Sequence, residues 1–494
     1  VIFIYLLSGL FLGWSLGAND TGNIFGAAVE TRMLKFRTAA LIAAVFITLG
    51  AVIEGSGPSQ TLGRLGSVDA LGGAFTVALA AAAAITVMVR IRIPVSTSQT
   101  IVGAIIGWNF FSGRLTDFNS LLTIASSWVT AFVLSGVISA LLFMLFRYYL
   151  SRGKIHLLEQ DLYTRYALVV VGAFGAYSLG ANNIANVVGV FVPVSPFKDF
   201  TLAKLFVFDG ITQLYFLGAM AIVAGIYTYS HKVMRTVGKD LFHLSPITAL
   251  IAVMSEAIVL FLFASRGLYN LLLRLGLPTI PLVPVSSSQV IVGAIVGIGL
   301  VKGGKNLKYN ILGRISLAWF IAPLMAFLFS FVALFIIQNV FEQEVHQNIR
   351  HVFNRTTVSR IGSEGYDTKA LSMVNGRSFA SERELYHELR STGANNREQI
   401  LELSRITEEF PLEVNMEILE KKGLADKIHK LQYLELSQLE GTKYRHKWQF
   451  AEALGAFPAW QRVEAPHTEA QKNHNRLLES KLDLLYRTFY KAGK

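Results

Sequence analysis

The chain contains no cysteine in 494 residues. That excludes a disulfide framework and leaves no thiolate to bind a metal or carry redox chemistry. Charge is also scarce: Asp, Glu, Lys and Arg make up 16% of the residues against 52% hydrophobic ones. With a mean hydropathy of +0.46, the chain is not built as a water-soluble globule throughout. None of the 10 histidines falls inside an apolar run, which counts against histidine-based catalysis there and against an enzyme. The net charge is +12; residues 1–338 carry 22 Lys and Arg against 11 acids, and the rest carry 23 against 22. The basic excess thus sits in short loops between apolar runs, where it reads as cytoplasmic anchoring of a membrane protein and not as a nucleic-acid surface.

What is present comes twice. Ile93 to Gly107 (IPVSTSQTIVGAIIG) and Val283 to Gly297 (VPVSSSQVIVGAIVG) agree at 11 of 15 positions, and Gly17 to Asn23 (GANDTGN) is echoed by Gly180 to Asn186 (GANNIAN). Runs near the length of a bilayer crossing number ten, at about 1–29, 38–54, 71–89, 95–111, 120–146, 167–193, 202–227, 246–265, 284–301 and 311–338. The first motif falls in segments one and six and the second opens segments four and nine. Each repeat therefore holds five segments, and an odd number turns the second repeat upside down. Loops after the odd segments hold 15 Lys and Arg against 5 in the others, which places the odd set in the cytoplasm and both chain ends outside.

The expected fold is an all-α membrane protein with two inverted-topology repeats, each with a re-entrant-type helical hairpin, plus a C-terminal soluble helical region. The parts are 1–147, a basic cytoplasmic linker at 148–166, 167–338 and a helical domain at 339–494. Pro94 and Pro284 can occupy the first turn of the following helices, with the Ser/Thr run as cap. Two such tips, dipping from opposite sides, meet near mid-membrane around a polar cavity.

A helix N-terminus offers free N–H donors and partial positive charge, both suited to an oxyanion. Ser96, Thr97, Ser98 and Gln99 with Ser286, Ser287, Ser288 and Gln289 can enclose a tetrahedral anion with neutral donors. The same residues packing helices together is the bland alternative, and their duplication in matched context argues against it. Four acids lie in the apolar segments, Asp20, Glu54, Asp209 and Glu256. Intramembrane acids are functional candidates, although Glu54 lies near a segment end and can face the interface. Asp20, with the amides of Asn19, Asn23, Asn182, Asn183 and Asn186, offers oxygens suited to a hard monovalent cation. The Gly103/Gly107 and Gly293/Gly297 pairs read as close-packing positions.

With these motifs in place, residues 1–338 resemble the PiT family of inorganic phosphate transporters, which carries a Gly-Ala-Asn-Asp type and a Pro-Val/Ile-Ser-Thr/Gly-Thr type sequence in each inverted half. The resemblance implies a secondary symporter of inorganic phosphate driven by Na⁺ or H⁺, with sulfate as the alternative oxyanion and no cofactor. It is carried by Asn19, Asp20, Asn23, Asn182, Asn183, Asn186 and the two Ser/Thr/Gln tips. Three departures stand out: Asn183 replaces a second Asp, Ile47 stands where many relatives have an acid while Asp209 takes the matching point in the second half, and the tips lack the common His. An anion channel or substrate sensor is the competing class, for which counterflow discriminates. The expected setting is multi-pass in the cell membrane, with a homodimer left open.

Overall fold

A computed structural model gives the fold and describes residues 2–66, 68–91, 95–152, 156–195, 197, 200–202, 206–231, 245–304, 309–364, 374–391, 397–421, 424, 428–464 and 469–490. Pro94 and several of the loop cations, among them Arg92, Lys232 and Lys305, lie outside the described residues. The chain divides into two compact units, Val1–Ser112 with Thr116–Gln347, and Gly113–Leu115 with Asn348–Lys494.

In the first unit every apolar segment contains a helix, as it must where lipid offers no partner for a free backbone group. In chain order these are α1 (Ile2–Glu30), α2 (Phe36–Glu54), α3 (Ser56–Leu65), α4 (Leu71–Arg90), α5 (Thr97–Ser112), α6 (Phe118–Arg152), α7 (Leu157–Val188), α8 (Gly210–Gly225), α9 (Pro246–Ala264), α10 (Arg266–Arg274), α11 (Ser287–Val301) and α12 (Tyr309–Asn339). Among the described residues, seven helical stretches are long and apolar enough to cross a membrane. The motif helices α5 and α11 have only 16 and 15 residues. They rise about 24 and 22 Å, short of a hydrocarbon layer about 30 Å thick.

Two details differ from expectation. The segment expected from residue 202 begins with an antiparallel pairing of β1 (Phe200–Leu202) and β2 (Phe206–Phe208). The helix starts only at Gly210, where the Asp209 carboxylate caps it by accepting from Thr212 N at 2.6 Å. Pro284 does not sit in the first turn of its helix: α11 begins at Ser287 with Ser286 as its cap, so Pro284 precedes the cap in non-helical chain.

Packing between the halves is reciprocal. Helix α1 packs on α8 while α2 packs on α7, and α5 packs on α12 while α6 packs on α11. Small residues permit these crossings: a Cβ on Gly180 would lie 2.1 Å from the Ile47 carbonyl oxygen, and one on Gly17 would lie 2.0 Å from that of Ile222. By this geometry the counterpart of Ile47 in the second half is Ile222, not Asp209. Gly103 and Gly293 meet the Pro323 and Phe132 carbonyls in the same way, at 2.2 and 2.3 Å.

The second unit is helical with short strand pairs, and it repeats one module. Strands β3 (His351–Val352) and β4 (Ser378–Phe379) pair as β5 (Leu412–Glu413) and β6 (Lys443–Tyr444) do. Phe353 N donates to Arg377 O at 3.0 Å and Gly376 N to Phe353 O at 2.7 Å, while Val414 N donates to Thr442 O at 3.1 Å and Gly441 N to Val414 O at 2.9 Å. Asn354 and Asn415 each cap the next helix, accepting from Thr357 N at 2.9 Å and Ile418 N at 3.0 Å. Gly376 and Gly441 hold the same left-handed turn, at φ 83° and 73°.

Two histidines are buried in this unit. His351 and His446 place Nδ1 at 3.0 Å from Ser404 O and 2.7 Å from Glu408 O, and their Nε2 atoms have no partner. Burial pushes both pKa values below the ordinary 6.5. Above that pH both folded and unfolded rings are neutral; below it the unfolded chain takes protons that the folded one refuses. Stability of the unit therefore falls as pH drops through the ordinary histidine range toward the folded values. Hydrogen exchange on the full chain should show protection of residues 348–490 declining between about pH 7 and about pH 5, and less decline in a His351→Gln, His446→Gln variant. Equal decline in both proteins would remove the histidines as the cause.

Candidate functional site

The Gly-Ala-Asn motifs and the duplicated tips converge within the first unit. Asp20, on α1 and 1% exposed, accepts hydrogen bonds from Asn19 Nδ2 at 2.8 Å, Asn183 Nδ2 at 2.8 Å and Ser287 Oγ at 3.0 Å. One carboxylate thus joins the first motif, the second motif and the second tip. Asn182 clamps the second tip by its backbone, donating to Val285 O at 2.8 Å and accepting from Val285 N at 2.9 Å. Asn182 also donates to Asn183 Oδ1 at 2.6 Å. Asn186 reaches the first tip, donating to Ser98 Oγ at 2.8 Å.

The tips touch through a reciprocal pair: Ser98 Oγ donates to Val285 O at 3.0 Å and Ser288 Oγ donates to Val95 O at 2.8 Å. Val95 and Val285 were not among the expected site residues. Their signal was available, since each stands between the Pro and the first Ser of the repeated peptide, but it lies in a carbonyl and not in a side chain.

The tip hydroxyls separate into two groups. Ser98, Ser287 and Ser288 spend their protons inside the protein, as above. Ser96 and Ser286 accept from Gln99 N and Gln289 N, each at 3.2 Å, in matching helix caps; among the described residues neither hydroxyl proton has an acceptor. Thr97 Oγ1, Gln99 Oε1 and Gln289 Oε1 are buried without any partner, as are Asn23 Nδ2 and Asn186 Oδ1. Each such atom costs about 1–3 kcal/mol unless something arrives to satisfy it. Their grouping on the motif residues marks where a polar guest belongs.

The remaining acids part ways. Glu256 on α9 is fully buried, and among the described residues both its oxygens lack partners. Asp209 does not join the cluster: it is exposed at the start of α8. Glu54 is 9% exposed and capped, accepting from Ser265 Oγ at 3.0 Å and Arg266 N at 2.7 Å, so it neither faces the interface freely nor reaches the tips.

Membrane-length helices packed around a buried polar cluster define a multi-pass membrane protein. The chain belongs to the phosphate transporter family, whose pattern matches residues 16–161, 154–279 and 272–402. The third stretch extends the likeness beyond residue 338, where the sequence resemblance was taken to end. A protein of Methanocaldococcus jannaschii called "Putative phosphate permease" is 27% identical over 67% of this chain and 96% of its own. One of the same description from Chlamydia pneumoniae is 25% identical over 69% and 99%. A solved structure described as the sodium-dependent phosphate transporter shares the fold, with a TM-score of 0.55 and 23% identity over 68% of this chain and 98% of that one.

Proposed function

We propose that the protein is a secondary active symporter that carries inorganic phosphate with Na⁺, by alternating access around the Asp20 cluster. The observation that carries this reading is the Asp20 carboxylate tied to both Asn motifs and to the second tip. A buried carboxylate beside an oxyanion site repels the anion unless a cation joins it; two unit charges 4 Å apart interact by about 4 kcal/mol at an effective dielectric of 20. That requirement is coupling. The donors for phosphate are the free hydroxyls of Ser96, Thr97 and Ser286, with Gln99 and Gln289, while Ser98, Ser287 and Ser288 hold the tips in place. Asn19, Asn23, Asn182, Asn183 and Asn186 order the cation side, and Glu256 is the second fully buried acid in the helices. Likeness in fold to a sodium-dependent phosphate transporter makes Na⁺ the first ion to test, ahead of H⁺.

The reading includes two inverted repeats with re-entrant hairpins ending in α5 and α11. Reciprocal packing and the short lengths of these two helices support it. It also places the loop after α5 and the C-terminal unit on the outer side. A cysteine at Lys35 should be labelled only from the cytoplasm and one at the exposed Arg64 only from outside, and the absence of native cysteine keeps the assay clean. Reversed labelling at both would overturn the orientation.

The deciding experiment is uptake of labelled phosphate into proteoliposomes under separately imposed Na⁺ and H⁺ gradients, with sulfate as competitor. Accumulation against a gradient driven by Na⁺ supports the symporter. Equilibration without accumulation makes the protein a channel, and sulfate winning the competition reassigns the anion.

A further inference from the structure

Away from the transport site, the second unit holds a pocket of about 170 Å³ between the helices Lys430–Ser437 and Glu469–Phe489. Its polar wall is basic: His429, His474 and Lys481, set against Ala459 and Leu478, with no acid among the lining residues. Lys481 is held rigidly by a neutral partner. Its Nζ donates to Gln432 Oε1 at 2.6 Å, Gln432 Nε2 donates to Ala459 O at 2.8 Å, and Gln432 O accepts from Trp460 Nε1 at 3.2 Å. Gln432 is 6% exposed, so a buried amide bonded at both its oxygen and its nitrogen holds an ammonium at the pocket wall.

Fixing a lysine costs rotamer entropy, and a solvated lysine has no need of it. Two acids among the described residues, Glu435 and Glu479, are engaged elsewhere. Glu435 turns its carboxylate to Ala459 N at 3.1 and 3.4 Å, and Glu479 pairs with Arg462 at 3.4 Å. Burial also pushes the Lys481 pKa below its ordinary value. His429 accepts from Leu431 N through Nδ1 at 3.4 Å, which leaves its ring proton on Nε2 as a donor. His474 places Nε2 3.3 Å from Gln461 O. The Lys481 ammonium and the His429 Nε2–H are donors that the wall has to spare.

We propose that this pocket binds a phosphate-bearing anion, at a site separate from the one used for transport. Lysine supplies the charge, His429 supplies a directed donor beside the His474 ring, and the Leu478 and Ala459 wall takes the less polar part of the guest. The phosphate can be free, part of a mononucleotide, or a lipid headgroup, and the test separates these sources.

Full-length protein in detergent is modified with diethyl pyrocarbonate and with acetic anhydride, and adducts at His429, His474 and Lys481 are followed by peptide mass spectrometry. The probes are inorganic phosphate, AMP, phosphatidylglycerol vesicles, and sodium chloride at matched ionic strength. At least one phosphate-bearing probe, at tenfold over its dissociation constant, should slow modification at all three positions by about tenfold, and chloride should not. Lys481→Met should leave the histidines unprotected. His474→Ala, at an exposed position and so harmless to folding, should sharply reduce protection of Lys481. Ser96→Ala with Ser286→Ala should leave the protection intact. The proposal fails if no phosphate-bearing probe protects, if chloride protects equally, or if protection vanishes with the tip substitutions.

Discussion

Replacing Ser96 and Ser286 together with alanine abolishes phosphate binding while the protein still folds: that is the result expected from the way the tips are built. Each hydroxyl accepts a backbone N–H of its own helix and keeps its proton free among the described residues. Alanine removes a donor from both sides of the anion at once. A hydrogen bond to a charged group is worth about 1.5–3 kcal/mol, so the pair should weaken affinity by about two to four orders of magnitude. The lost caps cost about 0.5–2 kcal/mol each in stability, which thermal unfolding in detergent will register as a modest shift. Ser98→Ala with Ser288→Ala makes the contrast. Those hydroxyls already donate across to Val285 and Val95, so their loss should loosen the tips and lower the unfolding temperature more than it harms phosphate contact. Wild-type affinity in the Ser96/Ser286 variant would end the assignment.

The duplicated peptides made both the bundle and its polar centre legible, because polar residues repeated inside apolar runs have few explanations other than a shared site. Helix existence followed from hydropathy alone. Hydropathy failed where it had to: Phe206 to Phe208 are apolar in a strand pair as they would be in a helix, and only the capping role of Asp209 fixes where α8 begins. Reading Asp209 as the displaced partner of Ile47 was an error of register, which the contacts of Gly17 with Ile222 and Gly180 with Ile47 correct. The amphipathic α3 and α10 escaped because both are too short to stand out in a search for bilayer-length runs. The repeat in the second unit was hidden for another reason. Its copies share a cap (Asn354, Asn415), a turn glycine (Gly376, Gly441) and a hydrogen-bond scheme, and a backbone scheme leaves little trace in the residue pattern.

Coupling gives the other large expected effect, and it turns on the contrast between Asp20 and Asn183. Asp20→Asn removes the charge that calls for a cation yet keeps the size of the side chain and part of its hydrogen bonding to Asn19, Asn183 and Ser287. Gradient-driven accumulation should disappear. Binding should also weaken, by as much as about three orders of magnitude if the lost cation lay near 4 Å from the anion, since about 4 kcal/mol goes with it. Asn183→Asp acts in the opposite sense. Asn183 Nδ2 stands 2.8 Å from Asp20 Oδ2, so the change sets two carboxylates at hydrogen-bond distance inside a buried site, where both cannot stay ionised without help. They must share a proton or take a further cation. Initial uptake measured against Na⁺ at two pH values should therefore become steeper in Na⁺, or gain a pH dependence that the parent lacks. If Asp20→Asn leaves cation dependence unchanged, the coupling site lies elsewhere, and Glu256, buried with both oxygens unpartnered, is the acid to replace next.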